Sequence, residues 1–421
     1  MKNVVVLAVV LAAAIAGCKK SDDSAVTPVV VPPVVQENVG GDVSGVWAKG
    51  GTYKITNHLQ ISEGKSLTIQ EGATVIFSDS TVKPEFIVKG NLYVLGTDQN
   101  PVRFTVPDAW KTAKNEFGNL WGGIIASPKS EELVLKNVIM DYGGAVTTES
   151  SPSVKAGLYK AAAGQHVPAV NFTNVNGKVV IINSRLSNQN EDGIYLEGGK
   201  VIIANNVIYT QGVSGGDAIN IKSGVQADVA YNLVYSPNTN ALKLSSTGDR
   251  TPQAYVVAYN NTIVNAGWRR PSIKGGSIWV EAAVRATVYN NLFVNDRFGV
   301  KRDTKLTEDT RSVMGNNYYY GYTQQGVDQF QPTAEIIAGT NDVIGKKAGD
   351  NDPKFVNFPL DNPSLNQTFN TAWNFKLQAG SPALGKGSTT FTRLYADGIT
   401  VGGVVYQSPA PASYVGAYGT N

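Results

Sequence analysis

Two aspartates in the middle of the chain stand in similar surroundings and are its best candidates for chemistry. Asp192 is followed by Gly-Ile-Tyr-Leu, and 25 residues later Asp217 is followed by Ala-Ile-Asn-Ile. If these segments occupy neighbouring coils in the same phase, their carboxyl groups lie about 5 Å apart. Such a pair suits glycoside hydrolysis, because one group protonates the leaving oxygen while the other activates water, and like charges that close hold one proton between them. A divalent-cation site such as Ca²⁺ and plain corner residues are the alternatives.

Two insertions are candidates for ligand binding. The first falls between Leu242 and Ile278, which are 36 residues apart, and the second covers residues 143–166. Insertions into a stacked fold project from one edge, and neighbouring ones can wall a groove. Arginine forks fit carboxylate or sulfate, and a tryptophan face packs on sugar C–H groups. The sequence therefore predicts substrate binding by a cluster in the first insertion, with an ordinary solvated loop as the alternative; its residues are Trp268, Arg269, Arg270 and Lys274.

Short apolar/polar alternations must position these groups, and they recur along the chain. One type of segment is repeated, and its marker asparagine recurs at steps of 26, 29, 30 and 26 residues. These asparagines are Asn206, Asn232, Asn261, Asn291 and Asn317. A period of 20 to 30 residues built from short strands indicates a parallel β-helix. Asparagines stacked on successive coils can bond to each other's backbone, so we predict a structural asparagine ladder.

The N-terminal half carries a second set of motifs. They are L-x-I-x-x-G at 67–72, G-x-L-x-x-x-G-T at 90–97, x-P-V-x-F at 100–104 and W-G-G-I at 121–124. Together they resemble bacterial surface proteins of the pectate-lyase-like superfamily. The resemblance implies an all-β fold, a single-stranded right-handed parallel β-helix of the pectin-lyase-like type. We expect this solenoid over residues 44–325, followed by a C-terminal capping region over 326–421.

The two aspartate segments in addition resemble the polygalacturonase family, whose coils carry N-T-D-G-I and then G-D-D-x-I-x-I-K-S-G. This resemblance implies that the two aspartates are catalytic. The chain departs from the family in three places: Gly216 replaces one aspartate, Asn240 falls near the family's histidine, and Arg270 and Lys274 match its Arg-x-Lys loosely. Whether the chain is an enzyme therefore stays open.

The first residues of the chain resemble localisation signals. Residues 1–17 contain a short apolar run, too short to span a membrane, that predicts a signal peptide. It ends in Ile-Ala-Gly-Cys18, which resembles the bacterial lipobox and implies lipidation (palmitate among the acyl chains) at Cys18. Residues 18–43, with several prolines, read as a flexible tether. The acidic run at 22–23 resembles a surface-export signal, so we expect a lipid anchor in the outer membrane and exposure on the cell surface.

The amino-acid composition excludes several classes of binding partner and site. The formal charge of +3 argues against nucleic acid. Two histidines, His58 and His166, and the single cysteine exclude Cys/His zinc sites and a disulfide framework. We expect no cofactor, with Ca²⁺ as the one ion the carboxylates could take. The sequence predicts a monomeric envelope protein that binds polysaccharide; a polysaccharide hydrolase or lyase, and an adhesive or structural surface protein, are the alternatives.

Overall fold

Short strands dominate the computed structural model, which describes residues 34–361 and 368–420. Up to residue 141 they are β1 (Val35–Asp42), β2 (Gly45–Trp47), β3 (Thr52–Ile61), β4 (Ser66–Gln70), β5 (Thr74–Phe77), β6 (Phe86–Val88), β7 (Asn91–Leu95), β8 (Val102–Thr105), β9 (Ile124–Ala126), β10 (Glu132–Lys136) and β11 (Val138–Asp141). The middle of the chain contains β12 (Val170–Phe172), β13 (Lys178–Ile182), β14 (Arg185–Gln189), β15 (Ile194–Leu196), β16 (Gly199–Ala204), β17 (Val207–Gln211), β18 (Ile219–Ile221), β19 (Val225–Ala230), β20 (Leu233–Tyr235), β21 (Asn240–Ser245), β22 (Tyr255–Tyr259), β23 (Thr262–Val264), β24 (Gly276–Glu281), β25 (Arg285–Tyr289), β26 (Leu292–Val294) and β27 (Val300–Arg302).

The remaining elements are few. The last strands are β28 (Val313–Gly315), β29 (Tyr318–Tyr320), β30 (Ile336–Ile337), β31 (Val343–Ile344), β32 (Phe355–Asn357), β33 (Asn374–Leu377), β34 (Ile399–Val401) and β35 (Val404–Tyr406). Helical structure among the described residues is limited to α1 (Pro152–Lys155), α2 (Gln324–Asp328) and two short 3-10 turns at Asp108–Trp110 and Ala113–Asn115. None of these helices is long and apolar enough to cross a membrane.

The strands wind into three stacked faces. The first face contains β2, β4, β7, β10, β13, β16, β19, β22, β25 and β28, and the second runs from β1 through β3 and β5 to β29 and β31. The third face begins with the end of β3 and continues through β6, β9, β12, β15, β18, β21, β24 and β27. Neighbours within each face pair in parallel, and only the closing strand β30 runs antiparallel to β27. The predicted all-β parallel solenoid is confirmed.

Alternation along each strand divides core from surface. In β15, Ile194 and Leu196 point inward and are fully buried, while Tyr195 between them points outward. The same pattern repeats in every coil, because successive side chains of a strand face opposite ways. The inward residues of all three faces form one continuous apolar core from Trp47 to Phe330.

The asparagine ladder predicted from the repeat is confirmed. At the corner between the first and second faces, Asn261 Nδ2 donates to Asn291 Oδ1 at 2.9 Å and to the Val229 carbonyl at 3.0 Å. Asn261 Oδ1 in turn accepts from the backbone nitrogen and the Nδ2 of Asn232. The preceding residue, Asn260, has φ +48°, a left-handed conformation that asparagine tolerates well. The amides thus satisfy backbone groups that the turn removes from the strand ladders.

The C-terminal residues 353–361 and 368–420, here called the strap, return along the outside of the solenoid. Aromatic residues of the strap pack on the second face, where Phe369 stacks on Tyr209 with ring centroids 4.4 Å apart. The hairpin β34–β35 packs on the first face, and Gly402 N donates to Glu132 Oε2 at 2.8 Å. None of the strap contacts made by described residues falls on the third face beside β15 to β27, and the outward side chains there line a cleft.

The two ends of the solenoid differ. β1, which the sequence analysis placed in the tether, pairs in parallel with β3 and forms the first edge. At the other end Phe330, just after α2, packs against Tyr319 with ring centroids 5.3 Å apart, and β30 and β31 pair with the last strands of two faces. Cys18, predicted to be lipidated, lies outside the described residues.

Candidate functional site

A cleft of about 680 Å³ opens on the third face. Its floor is a column of outward side chains, one from each of five neighbouring strands, which we call the outward column; its members are Tyr195, Asn220, Lys243, Trp279 and Lys301. The strands fix this column because the first four members each stand between two inward apolar residues, as in Ile-Tyr-Leu of β15 and Ile-Trp-Val of β24. Aromatic, amide and cationic groups therefore stand at the spacing of neighbouring strands, roughly 4.8 Å.

The two aspartates lie at one side of this floor, at the corner just before the third-face strands. The register of β15 with β18 places Asp192 and Asp217 in the same phase, as the repeat predicted. Asp217 N donates to Asp192 Oδ1 at 2.6 Å, and Asn240 donates to Asp217 Oδ1 from both its backbone nitrogen and its Nδ2. Asn220 Nδ2 bridges the pair, at 2.9 Å from Asp192 Oδ2 and 3.2 Å from Asp217 Oδ2. The two Oδ2 atoms are therefore no farther apart than these two distances combined.

Burial governs the titration of the pair. Desolvation raises the pKa of Asp192 to about 8, and the neighbouring charges of Asp217 and Glu191 add to the effect. Desolvation likewise raises the pKa of Asp217, against which the charge of Lys243 and the Asn240 hydrogen bonds act. The ionised form of Asp192 is therefore disfavoured relative to that of an exposed aspartate.

Asn220 and Asn240 have a further property. Both residues are more than nine-tenths buried, and the Oδ1 atom of each has no hydrogen-bond partner among the described residues. Both residues line the cleft. A buried acceptor without a donor costs free energy, so these two oxygens are suited to accept hydrogen bonds from a ligand.

Six cationic and six acidic side chains line the cleft, but only two ion pairs join them among the described residues. Lys243 pairs with Glu281 at 3.3 Å, and Lys301 pairs with Glu335 at 3.0 Å. Four more cations line the cleft without an ion pair to any described carboxylate: Lys160, Lys222, Arg270 and Lys274. Desolvation lowers the pKa of Lys222, and the charge of Lys243 beside it acts in the same direction. The negative charge of an anionic ligand would act against this lowering, because a nearby opposite charge favours the protonated amine.

The predicted binding cluster separates into two pairs. Arg269 is held by the protein itself: its guanidinium donates to the carbonyl oxygens of Gln211, Gly212 and Ser236 at 2.8 to 3.2 Å. Trp268 Nε1 donates to the Asn295 carbonyl at 2.6 Å, and neither residue lines the cleft.

Their neighbours Arg270 and Lys274 do line the cleft and form its side wall. Arg270 Nη1 donates to Thr239 Oγ1 at 2.7 Å, which orients its guanidinium beside the floor. The Arg269 and Trp268 side chains thus fix the insertion, and the Arg270 and Lys274 side chains are free to meet a ligand.

The second insertion, residues 143–166, closes one end of the cleft. Tyr159, which does not itself line the cleft, lies edge-on to Tyr195 with ring centroids 5.3 Å apart, and the next residue, Lys160, is part of the lining. His166, distant in sequence from the aspartates, is close enough that its charge acts on Glu191. Its Nδ1 lies 2.7 Å from the Gly144 carbonyl oxygen.

Metal ligands are not clustered in the described part of the chain: no three His, Cys, Asp or Glu side chains are arranged to hold an ion there. At the aspartate pair every carboxylate oxygen already accepts from an amide group. The Oδ1 atoms of Asn220 and Asn240, which have no hydrogen-bond partner among the described residues, are the atoms beside the pair that remain able to ligate an ion.

Sequence reasoning missed most of the floor. Four members of the outward column, Tyr195, Asn220, Lys243 and Trp279, are the middle letters of the repeated Ile-Tyr-Leu, Ile-Asn-Ile, Leu-Lys-Leu and Ile-Trp-Val segments. The signal was available, because an outward position that varies between aromatic, amide and cation is unlike a plain solvated surface.

Comparison of the chain with protein-family models, with curated proteins and with solved structures finds no significant match.

Proposed function

We propose that this protein binds an acidic polysaccharide in the cleft of the third face. The observation that carries the proposal is the outward column, in which Trp279 stands between Lys243 and Lys301 on a floor bordered by unpaired cations. A cleft of this size falls in the range typical of ligand sites, roughly 300 to 1,000 Å³.

Each group in the cleft matches one feature of an acidic sugar. The Trp279 ring is half-buried and offers a flat apolar surface to sugar C–H groups. The unpartnered Oδ1 atoms of Asn220 and Asn240 accept from hydroxyl groups. Lys222, Arg270 and Lys274 neutralise carboxylate or sulfate groups, which suits an anionic chain better than a neutral one.

Binding of the full-length chain to a polyuronate, a sulfated glycan and a neutral glucan tests the proposal. We expect binding of at least one acidic glycan, no binding of the neutral one, and weakening by salt, because part of the attraction is between exposed charges. Trp279→Ala should lower the affinity by about tenfold or more, as removal of an aromatic anchor does.

Tyr255→Ala is the matched control. Tyr255 is also an outward, half-buried aromatic with a cation over its ring, but it lies on the first face, with the Arg285 guanidinium 4.2 Å from the ring centroid. Equal loss of binding in the two variants, or equal binding of neutral and acidic glycans, would contradict a specific site in the cleft.

The proposal includes the location of the protein. The lipobox-like sequence at Cys18 and the acidic run after it favour a lipid anchor in the outer membrane, with the solenoid exposed on the cell surface. Cys18→Ala should release the protein from the detergent phase in phase partitioning. Protease added to whole cells should cut between residues 26 and 35, and complete protection there would contradict surface exposure.

Cleavage of the bound polysaccharide is a second candidate. The specific observation in its favour is that burial raises the pKa of Asp192 to about 8 while Asp217 lies beside it. A protonated carboxyl next to a second carboxyl has the composition of a glycosidase acid–base pair. New reducing ends, or absorbance from an unsaturated sugar, would reveal turnover. Asp192→Asn should then lower the rate by about 10² to 10⁴-fold without abolishing binding.

A further inference from the structure

The floor of the cleft belongs to a longer column that is covered at one end. Below Tyr195 the same outward register continues through Asn171, Ile125 and Ile87. All three are buried, and Leu158 and Val167, on either side of the tip of the second insertion, pack on the two isoleucines. The second insertion therefore covers the column below Tyr195, whereas from Tyr195 upward its members line the cleft.

The wall at this end is fixed to the solenoid. Ser153, in α1, donates to Glu85 from its backbone nitrogen at 2.9 Å and from its hydroxyl at 2.8 Å. Glu85 is almost fully buried, so these are the contacts that satisfy its carboxylate. A backbone bridge between Val146 and His166 closes the base of the insertion. Tyr159, at the tip, contacts Tyr195 edge to face and completes the wall.

Polar groups without partners gather at the blocked end. The Tyr159 hydroxyl is buried without a hydrogen-bond partner among the described residues, and it lies outside the lining of the cleft, so Tyr159 serves the wall and not the ligand. The Glu191 carboxylate lines the cleft and accepts no hydrogen bond from a described residue, although Lys160 and Arg270 are near enough for their charges to act on it. Glu191 and Lys160 can therefore bind hydroxyls that only the last sugar of a chain carries free.

The opposite end is open. The floor extends over four strand steps from Tyr195 to Lys301, roughly 19 Å at the usual strand spacing. Lys301 itself is buried, but Asp303 and Glu335 line this end of the cleft and 53% of the Glu335 side chain is exposed, so the cleft meets solvent here. A ligand laid along the column can leave the cleft here but not past Tyr159.

We propose that the cleft binds the free end of an acidic polysaccharide chain, with the terminal sugar against Lys160, Tyr195 and Glu191, and not an internal stretch. The inference rests on the proposed function, because it concerns the same cleft. It goes further by naming the part of the polymer that is recognised.

Binding stoichiometry distinguishes the two cases. The full-length chain is titrated against three size fractions of one polyuronate, the longest many times longer than the floor, and the bound protein is counted per polymer chain. End recognition gives one protein per chain at saturation in all three fractions. A number that grows with chain length would overturn the inference and leave the proposed function standing. Absence of binding to every fraction, and to a matching sulfated glycan, would reject both.

Variants at the wall give a second readout. Glu191→Gln and Lys160→Gln each leave the wall in place and remove one charged group that lines this end of the cleft. Each should weaken binding of a short acidic oligosaccharide about tenfold, the loss expected for one hydrogen bond to a charged group, with an unchanged melting temperature. Tyr255→Ala, on the first face, is the control and should bind as the parent does. Full affinity in both wall variants would contradict a terminal sugar at this position.

Discussion

Removal of one asparagine from the buried ladder should destabilise the whole solenoid measurably. In Asn261→Ala, four hydrogen bonds disappear: two that Nδ2 donates, to Val229 O and Asn291 Oδ1, and two that Oδ1 accepts from Asn232. Asn261 is fully buried, so water does not replace these partners. At about 1 kcal/mol for each bond, the free energy of unfolding should fall by roughly 3 to 4 kcal/mol.

The corresponding thermal shift is modest. With an unfolding entropy of about 2.1 cal/mol/K per residue, a chain of this size has roughly 0.8 kcal/mol/K, so the melting temperature should fall by about 4 to 5 °C. Urea denaturation followed by circular dichroism measures the free energy directly. The control is Asn183→Gly: Asn183 is exposed at an equivalent corner with φ +52°, which glycine adopts without strain. If Asn261→Ala is as stable as this control, the ladder does not contribute as we reason.

Three further predictions follow from the cleft and its walls. Arg269→Lys should lower the free energy of unfolding by about 2 to 4 kcal/mol, because one ammonium cannot replace the guanidinium contacts, whereas Arg270→Ala should keep its stability in the same urea titration and lose glycan affinity. Asp192 stays protonated in the native protein up to a pKa of about 8 but ionises near pH 4 when unfolded, so stability should fall as pH rises between these values; Asp192→Asn should abolish its part of that fall in urea titrations at pH 5 and pH 8. Ser153→Ala removes both the hydroxyl donor to Glu85 and its support for the wall, so limited proteolysis within residues 152–160 should accelerate, and an unchanged cleavage rate would contradict the anchoring role.

The solenoid could be predicted from the sequence because its determinants are local and repeated. The ladder asparagines recur once per coil, and each follows a left-handed residue. The same few residues therefore reveal both the repeat period and the position of the corner. The common phase of Asp192 and Asp217 follows from that period alone. Features that depend on one coil and its immediate neighbour can therefore be predicted from a single sequence.

The walls of the cleft could not be predicted because they depend on distant contacts. The hydrogen bond from Ser153 to Glu85, 68 residues away in sequence, fixes the position of the second insertion. No local sequence pattern indicates that these two residues pair. Arg269 and Arg270 are identical in type and adjacent in sequence, yet one is bonded to backbone carbonyls of two other coils and the other borders the cleft. Which of the two arginines is bonded internally depends on where the backbone of Gln211, Gly212 and Ser236 runs beside the insertion.

The strap changes how the stack can come apart. In a solenoid whose coils contact only their neighbours, the coils at the ends fray first and unfolding spreads one coil at a time. Here Gly402 reaches back 270 residues to Glu132, and Tyr395 N donates to Asp228 on the way, so early and late coils share one partner. We expect the coils that the strap contacts, from β7 onward, to melt together in a single sharp transition, and folding to be slow because the strap must close a very long loop. Loss of the last thirty or so residues would turn one cooperative rod into a row of semi-independent coils.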